Sequence, residues 1–536
     1  MKNVRLLDCT LRDGGRVINC AFPDEEIRQI ATKLANAKID IVEVGFLRDH
    51  RDTHYQGNST FFTDVDQIKP FVDKSKNCMY VAFIDYGMFD FDSLKPYDGT
   101  SIDGLRVGFT KKDFVNSLPD VIEKLKIVKK QGYQLFIQGV NSLNYNDKEF
   151  LNLIDLVNEM QPTGFGMVDT YGAMYVDDVT RIYNLIDHNL NEDIAVDFHS
   201  HNNYQLSFSF AQEVIKLSHG KRQIIIDCTL NGMGKCAGNL NTELIADYMV
   251  RKLNYDYEFD NILDIIDEHI HDYSQQHDWG YSIPALMAGI YKSHPNNISY
   301  LTEKFRLDTK DIKYIMSMID AATRQRYDYN NIERLYIEYV ATKIDDYSAI
   351  NQLKTLIAGR EVLILVPGHT LTTHKTEIAN YIQQNNPFII SVNFYSDYDE
   401  STAFFGNQKR FNNAEIKQNK ATIITSNVKS QDANVITVNY EGLINREDDY
   451  FDNSTIMLLN LLRKIEVRKL SIAGFDGFKY GKESNYMQDR LGIKRHESEY
   501  ENINKALASM FGKFVKTMTG KCEIHFVTPS IFKNKS

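Results

Sequence analysis

Two short segments that lie far apart in the chain carry side chains that could bind one metal ion. Residues 8–14 (DCTLRDG) place Asp13 directly after an arginine, and residues 197–203 (DFHSHNN) contain His199 and His201. Residues two apart on an extended strand point to the same face, so both imidazoles can reach one cation. With the oxygen of Asp13 they suit a divalent ion and leave positions open for a chelating substrate. We expect Mn²⁺ here, and Mg²⁺, Zn²⁺ or Co²⁺ would also fit.

A histidine pair on a strand is often only hydrogen-bonded, so the elements around these segments matter. Short β-type runs alternate with segments of helical apolar spacing over the first half of the chain. Eight such units predict an α/β fold, a (β/α)₈ TIM barrel, with a doubly wound parallel sheet as the alternative. Both segments follow a strand, which is where barrel enzymes carry their active sites. The runs are Val4 to Asp8, Ile39 to Phe46, Met79 to Ile84, Gly104 to Phe109, Gln134 to Gly139, Gly164 to Asp169, Ile194 to His199 and Gln223 to Cys228.

The pattern predicts three regions along the chain. Residues 1–260 carry the barrel, residues 261–360 form a helical extension and connector, and residues 361–536 form a smaller Rossmann-like α/β domain. In the last region the loops Pro367–Thr370 (PGHT) and Gly474–Phe478 (GFDGF) could bind the phosphates of a nucleotide or sugar nucleotide. Neither loop has a GxGxxG fingerprint, so a domain that only packs is the alternative.

Composition excludes several classes of function. The 536 residues carry a formal charge of −11 and include 43% hydrophobic residues, as in a globular protein with a large core. The negative charge disfavours nucleic acid, and no apolar run approaches the roughly 18 residues of a membrane span. We therefore expect no nucleic acid and no membrane as partners, and a cytoplasmic location. The six cysteines lack CxxC spacing and are expected to be reduced.

A third segment, residues 231–239 (NGMGKCAGN), contains three glycines that allow close backbone approach to a substrate or metal. The three segments together, in this order, resemble the DRE-TIM metallolyases. This family of pyruvate-carboxyltransferase-type barrels includes HMG-CoA lyase, 4-hydroxy-2-oxovalerate aldolase and isopropylmalate synthase. The resemblance covers approximately residues 1–290.

The resemblance implies a ligand set for the metal. Asp13, His199 and His201 would bind the divalent ion, and Asn239 would be a fourth ligand, as in some members of the family. The alternative for Asn239 is a turn residue that stabilises the glycine-rich segment. Asp197 lies deeper on the strand of the two histidines, where it could orient an imidazole or join a separate buried ion pair.

The resemblance also assigns chemistry to Arg12, which would hold negative charge on an enolate oxygen during C–C bond cleavage. Glu43 matches a glutamate of many relatives and would position Arg12 or a substrate water, or form a plain buried salt bridge. The chain departs from the aldolases at Arg16, where they carry an acid/base histidine, because an arginine cannot accept a proton. Three other residues could replace that base: His50, His54 and Tyr281.

The implied function is a metal-dependent aldolase or lyase that makes or breaks a C–C bond through the enolate of a pyruvate-like 2-oxo acid. An aldehyde or acyl compound would be the co-substrate. Carbohydrate or surface-polysaccharide precursor metabolism is the expected setting, and homo-oligomers are expected because related barrels often associate. The alternatives are a Claisen-type acyltransferase like isopropylmalate synthase, and a sugar-nucleotide-binding or glycosyltransferase-like protein acting through residues 361–536.

Overall fold

The computed structural model divides the chain into two compact units. The first contains Met1–Glu303 with Ile319–Asp328, and the second contains Lys304–Met318 with Tyr329–Ser536. The structure describes residues 3–49, 55–303, 309–340, 344–414, 420–432, 434–445, 448, 450–481, 484–488 and 497–533.

The first unit is built on parallel strands that close into a barrel. Its strands are β1 Val4–Asp8, β2 Ile41–Leu47, β3 Phe61–Phe62, β4 Met79–Asp85, β5 Gly104–Phe109, β6 Gln134–Gly139, β7 Gly164–Asp169, β8 Ala195–Ser200 and β9 Ile224–Cys228. The strand order is β1-β9-β8-β7-β6-β5-β4-β2, and β1 also pairs with β2, which closes the barrel. The short β3 pairs only with the outer side of this ring, at β2. The structure thus confirms the predicted eight-stranded α/β barrel.

Helices alternate with these strands and continue into the second unit. In chain order they are α1 Asp24–Asn36, α2 Lys111–Asn116, α3 Leu118–Lys130, α4 Asp147–Met160, α5 Val176–Asn189, α6 Ser207–Leu217, α7 Thr242–Leu253, α8 Phe259–Ile265, α9 His271–Gln276, α10 Ile283–Tyr291, α11 Pro295–Glu303, α12 Thr309–Met318, α13 Ala321–Arg324, α14 Tyr329–Val340, α15 Tyr347–Ile357, α16 Thr370–Thr373, α17 Lys375–Asn385, α18 Gln408–Asn412, α19 Ser454–Lys464 and α20 Tyr500–Met518. Helix α1 illustrates why they form, since its apolar residues recur at helical spacing and are buried while acidic residues occupy its first turn. None of the helices among the described residues combines the length and apolar character needed to cross a bilayer.

Side chains along each barrel strand point alternately into and out of the barrel, so the inward-pointing ones form layers in its interior. Leu7, Ile41, Val81, Phe136 and Ala195 belong to one buried apolar cluster that fills part of the interior. Successive side chains of a strand alternate between faces, so residues two further along point inward again, one layer nearer the carboxyl ends. That next layer is polar and buried: Glu43, Arg106, Gln138, Asp197 and Asp227. The barrel therefore carries a charged layer directly beneath its carboxyl-terminal opening.

The second unit contains a seven-stranded parallel sheet. Its strands are β10 Val362–Leu365, β11 Phe388–Val392, β12 Ser401–Phe405, β13 Thr422–Thr425, β14 Ile436–Val438, β15 Lys469–Ala473 and β16 Glu523–Phe526, in the order β14-β13-β12-β11-β10-β15-β16. The direction of the strand order reverses between β10 and β15. At that point the Gly368 amide donates to the Gly474 carbonyl at 3.1 Å, and the Thr370 amide donates to Asp476 Oδ2 at 2.8 Å.

Candidate active site

Three predicted metal ligands meet at the carboxyl-terminal end of the barrel. Asp13 follows β1, His199 lies on β8, and His201 directly follows β8. Asp13 Oδ2 is 3.9 Å from His199 Nε2 and 3.6 Å from His201 Nε2. These separations are too long for hydrogen bonds, so the three atoms surround a gap and do not bond one another. All three side chains are largely withdrawn from solvent.

The tautomer of His199 makes this gap a good place for a cation. Asp227 Oδ2 accepts from Arg106 Nη2 at 2.6 Å and lies 2.9 Å from His199 Nδ1. An oxygen that accepts from the guanidinium also accepts from the imidazole, so Nδ1 carries the proton and Nε2 presents a lone pair to Asp13. A lone pair and a carboxylate oxygen repel each other unless a positive ion lies between them. The donor set therefore fits a divalent ion.

The protonation states of the ligands also suit a metal. Burial lowers the pKa of His199 and of His201 to about 4, so both imidazoles are neutral near pH 7. Burial opposes ionisation of Asp13, but Arg12, the two imidazoles and Arg16 outweigh it and hold the pKa of Asp13 well below its usual range. A carboxylate with two neutral imidazoles is the form that binds metal without first releasing protons.

The glycine-rich segment brings Asn239 to the same place. Its Nδ2 donates to Asp13 Oδ2 at 3.0 Å and to the Met233 carbonyl at 3.1 Å. Its Oδ1 is buried and has no hydrogen-bond partner among the described residues. Gly238 makes this approach possible, because its φ is +76° and an added Cβ would lie 2.0 Å from the Gly232 carbonyl. Asn239 holds Asp13 in place here, and its role as a ligand stays a prediction.

Arg12 is fixed on several sides beside the three ligands. Its Nε donates to Glu43 Oε2 at 2.6 Å and its Nη1 donates to Asp13 Oδ1 at 2.6 Å. The guanidinium carbon lies 4.6 Å from the centre of the Phe83 ring. Arg12 is 5% exposed and lines the cavity described below, whereas Glu43 is completely buried behind it. These contacts hold the guanidinium plane without using its second terminal nitrogen.

A buried ion network that sequence reasoning did not assign supports both Arg12 and His199. Arg106 donates to Glu43 Oε1 at 3.1 Å, to Asp197 Oδ2 at 2.8 Å and to Asp227 Oδ2 at 2.6 Å. Asp197 thus joins a buried ion pair, which was one of its two predicted roles, and Asp227 is the carboxylate that orients an imidazole. The sequence signal that could have revealed this network is the polar residue among apolar neighbours on each of two strands, Arg106 on β5 and Asp227 on β9.

A cavity of about 200 Å³ opens at these residues. A space of this size suits a small 2-oxo acid with a compact co-substrate. Besides Arg12, Asp13, His199, His201 and the buried Arg106, its lining includes three basic side chains: Arg16, Lys235 and His294. Arg16 Nε lies 3.3 Å from Asp13 Oδ1, and its Nη2 lies 3.9 Å from Asp85 Oδ2.

Of the three residues predicted to replace the base, the structure describes Tyr281 alone. His50 and His54 lie outside the described residues. Tyr281 is 56% exposed and is absent from the cavity lining. Asp8 accepts from the Thr242 hydroxyl at 2.7 Å and from the Thr10 amide at 2.9 Å, so it joins β1 to the start of α7.

Comparisons with known proteins agree with this geometry. The HMGL-like family model matches residues 3–268. The 4-hydroxy-2-oxovalerate aldolase of Pelotomaculum thermopropionicum is 25% identical over 315 residues, which cover 58% of this chain and 89% of the relative. The 2-isopropylmalate synthase of Saccharolobus solfataricus is 25% identical over 262 residues, which cover 48% of this chain and 64% of the relative.

Among solved structures, HMG-CoA lyase from Brucella melitensis is similar at 12% identity and a TM-score of 0.41, covering 49% of this chain and 96% of that one. The match of the family model spans the barrel and all three motif segments. The barrel, residues 3–268, therefore belongs to the HMGL-like family, which confirms the DRE-TIM resemblance of its motifs.

Proposed function

We propose that the barrel is a divalent-metal-dependent aldolase or lyase that makes or breaks a C–C bond through the enolate of a pyruvate-like 2-oxo acid. The convergence of Asp13 Oδ2 with the Nε2 atoms of His199 and His201 beside the buried guanidinium of Arg12 carries this proposal. Mn²⁺ is the proposed ion, and Mg²⁺, Zn²⁺ or Co²⁺ would fit the same donors. When bound, the ion supplies Lewis acidity that polarises the keto oxygen of the substrate.

The protein residues prepare the site for developing negative charge. Glu43 and Asp13 hold two nitrogens of Arg12, and the remaining terminal nitrogen is the donor available to an enolate oxygen. Glu43 does not line the cavity, so in this proposal it positions Arg12 and does not touch substrate. Because the guanidinium is already desolvated and oriented, little reorganisation is needed when the charge develops.

Acyl transfer is a second candidate because a relative is named 2-isopropylmalate synthase. The two reactions would differ in the enolate: in the aldolase it forms from the 2-oxo acid and adds to an aldehyde, whereas in acyl transfer it forms from the acyl thioester and adds to the keto carbon of the 2-oxo acid. Incubation of the full chain with Mn²⁺ and 4-hydroxy-2-oxo acids, with release of pyruvate measured by a coupled assay, tests the aldolase. Condensation of a 2-oxo acid with an acyl thioester but no cleavage of hydroxy-oxo acids would favour acyl transfer.

For the second unit we propose a Rossmann-like domain whose parallel sheet binds a nucleotide or sugar nucleotide. The reversal of strand order between β10 and β15 supports this, because ligands of open α/β sheets bind beside such reversals. Calorimetric titration of the full chain with nucleoside diphosphate sugars tests it, and absence of binding at millimolar ligand would contradict it. A cytoplasmic location, homo-oligomers and carbohydrate-precursor metabolism remain parts of the proposal.

A further inference from the structure

Three basic side chains outside the predicted ligand set line the cavity described above, and they come from separate parts of the barrel unit. Arg16 follows β1, Lys235 lies in the glycine-rich segment, and His294 immediately precedes α11. None of the three belongs to the predicted ligand set or to the Arg12 contacts. Their common position in one small cavity gives a cluster that the proposed enolate chemistry leaves unused.

Lys235 brings a positive charge without a matching carboxylate. Among the described residues, no acidic group lies within 4.0 Å of its amine, whereas Arg16 next to it approaches Asp13 and Asp85. Burial lowers the pKa of Lys235 and the positive charge of Arg16 lowers it further, while the carboxylate of Asp13 acts in the opposite direction. The ammonium is thus partly removed from water and repelled by its neighbour, and both effects would be relieved by an anion.

The hydrogen bonds of His294 fix which ring nitrogen can serve a ligand. The Asn296 amide donates to His294 Nδ1 at 3.2 Å, and a backbone amide can only donate. Nδ1 is therefore unprotonated, and the neutral ring carries its proton on Nε2. The ring also packs on Tyr327 with 4.9 Å between ring centres, which restrains its orientation. His294 thus offers a fixed N–H donor and cannot act as a base through Nε2 in this tautomer.

The surroundings of His294 agree with that state. Burial lowers the pKa of His294 to about 4, and the charges of Lys235 and Arg16 contribute in the same direction. All three side chains line the same cavity, so they face a common space. An anion there would receive one ammonium, one guanidinium and one imidazole N–H.

We propose that Arg16, Lys235 and His294 form an anion subsite for a carboxylate or phosphate group carried by the co-substrate. In the proposed function the carboxylate of the 2-oxo acid would chelate the ion, so the subsite selects a co-substrate with its own negative charge. The identity of that co-substrate rests on the proposed function, but binding of an anion at the subsite does not.

The test is a ternary binding experiment on the full chain. Protein with Mn²⁺ and saturating oxalate, a compact chelating anion, is titrated with inorganic phosphate and separately with acetate. Trp279, the single tryptophan, reports binding, because its Nε1 donates to the Asn231 carbonyl at the start of the glycine-rich segment. We expect saturable phosphate binding in the presence of oxalate. The relative affinities of phosphate and acetate then identify the group that the subsite prefers.

Variants locate the binding. Lys235→Met should weaken phosphate binding about tenfold or more, since a charge-assisted hydrogen bond is lost. His294→Asn keeps an acceptor for the Asn296 amide, so it should preserve the start of α11 and weaken binding severalfold. Lys292→Met removes the same charge from an exposed position and should leave binding unchanged. Circular dichroism and Mn²⁺ content establish that each variant is folded and loaded.

Three results would overturn the subsite: no phosphate or acetate binding to wild type, competition between phosphate and oxalate, or equal binding by the Lys235 and Lys292 variants. If the protein binds phosphate but shows no enolate chemistry, only the proposed function is contradicted and the subsite stands. If both hold, an aldehyde bearing a phosphate or carboxylate should show a lower KM than its uncharged analogue. Lys235→Met should abolish that preference, whereas Lys292→Met should retain it.

Discussion

Among single residues, Asp227 links the metal cluster to the charged layer of the barrel. It orients His199 through Nδ1 and shares Arg106 with Glu43 and Asp197. A carboxylate behind a metal-binding imidazole raises its basicity and fixes its orientation. The affinity of the proposed metal site should therefore depend on Asp227, which is not one of the three predicted ligands.

Asp227→Asn should weaken Mn²⁺ binding by about 10- to 100-fold, the usual cost of removing such a partner. The amide oxygen can still accept from His199 and Arg106, but it lacks the negative charge that raises the basicity of the imidazole. Titration with Mn²⁺ followed by electron paramagnetic resonance measures the affinity. Asp197→Asn is the matched control, because Asp197 contacts Arg106 and Gln138 but no imidazole, and it should stay close to wild type. Equal losses in both variants would contradict the assigned role of Asp227.

Arg12→Gln should reduce turnover about 10²- to 10³-fold while the bound metal is retained, because a preorganised donor to the enolate is removed. Steady-state kinetics and metal analysis of the same preparation check this. Arg48→Gln removes a guanidinium that pairs with Asp85 but does not line the cavity, and it should keep its activity. Loss of metal in Arg12→Gln would instead make Arg12 a structural support of Asp13.

The sequence could predict Asp13, His199 and His201 because strand spacing alone places two imidazoles on one face and a third ligand at another strand end. It could not predict the Asp227 contact, which depends on β8 lying beside β9 in the closed barrel. His294 could not be predicted for a related reason. It enters the cavity from the start of α11, and only tertiary packing brings that position to the metal.

Among elements, β1 and α7 are joined by a buried carboxyl group. Asp8 ends β1 and accepts from Thr242, the first residue of α7. Burial raises the pKa of Asp8 to about 6, against which its hydrogen bonds act only partly. The folded barrel therefore favours the protonated form more than the unfolded chain does.

The pH dependence of stability follows from this raised pKa. The contribution of Asp8 is fully present below its unfolded pKa near 4 and is lost as pH rises through about 6. Relative to Asp8→Asn, wild type should therefore lose about 1–2 kcal/mol of unfolding free energy between pH 5 and pH 8. Urea unfolding followed by Trp279 fluorescence, which reports on the barrel unit, measures the difference. If the difference in unfolding free energy between wild type and Asp8→Asn stays constant across this pH range, the raised pKa of Asp8 is contradicted.

At the scale of the whole molecule, the barrel unit includes a later segment of the chain, Ile319–Asp328. The Arg324 carbonyl accepts from the His294 amide at 2.8 Å and from Asn297 Nδ2 at 3.0 Å. The Gln325 side chain pairs with Asn144, with Nε2 donating at 2.7 Å. This return segment therefore supports the start of α11, and with it His294.

A chain ending at residue 328 should keep the thermal transition of the barrel, whereas one ending at residue 303 should melt about 5–10 °C lower. The shorter chain loses several hydrogen bonds, each contributing about 1 kcal/mol. Differential scanning calorimetry of both chains checks this. Identical transitions would show that the return segment contributes nothing to the barrel.

The fold was predictable at this scale to the extent that periodicity reveals elements: the eight barrel strands and a second α/β region after residue 361. The return of Ile319–Asp328 to the barrel unit was not, because its short helix, Ala321–Arg324, has no apolar face that would indicate what it packs against.

The most direct test of metal-dependent enolate chemistry at this barrel is deuterium exchange into the carbon next to the keto group of pyruvate and 2-oxobutyrate, followed by NMR in D₂O. Exchange should require Mn²⁺ or another divalent ion and should be lost in Asp13→Ala, while the control variant Lys292→Met exchanges at the wild-type rate. Exchange that persists in Asp13→Ala, or the absence of exchange from metal-loaded wild type with either acid, would contradict the account.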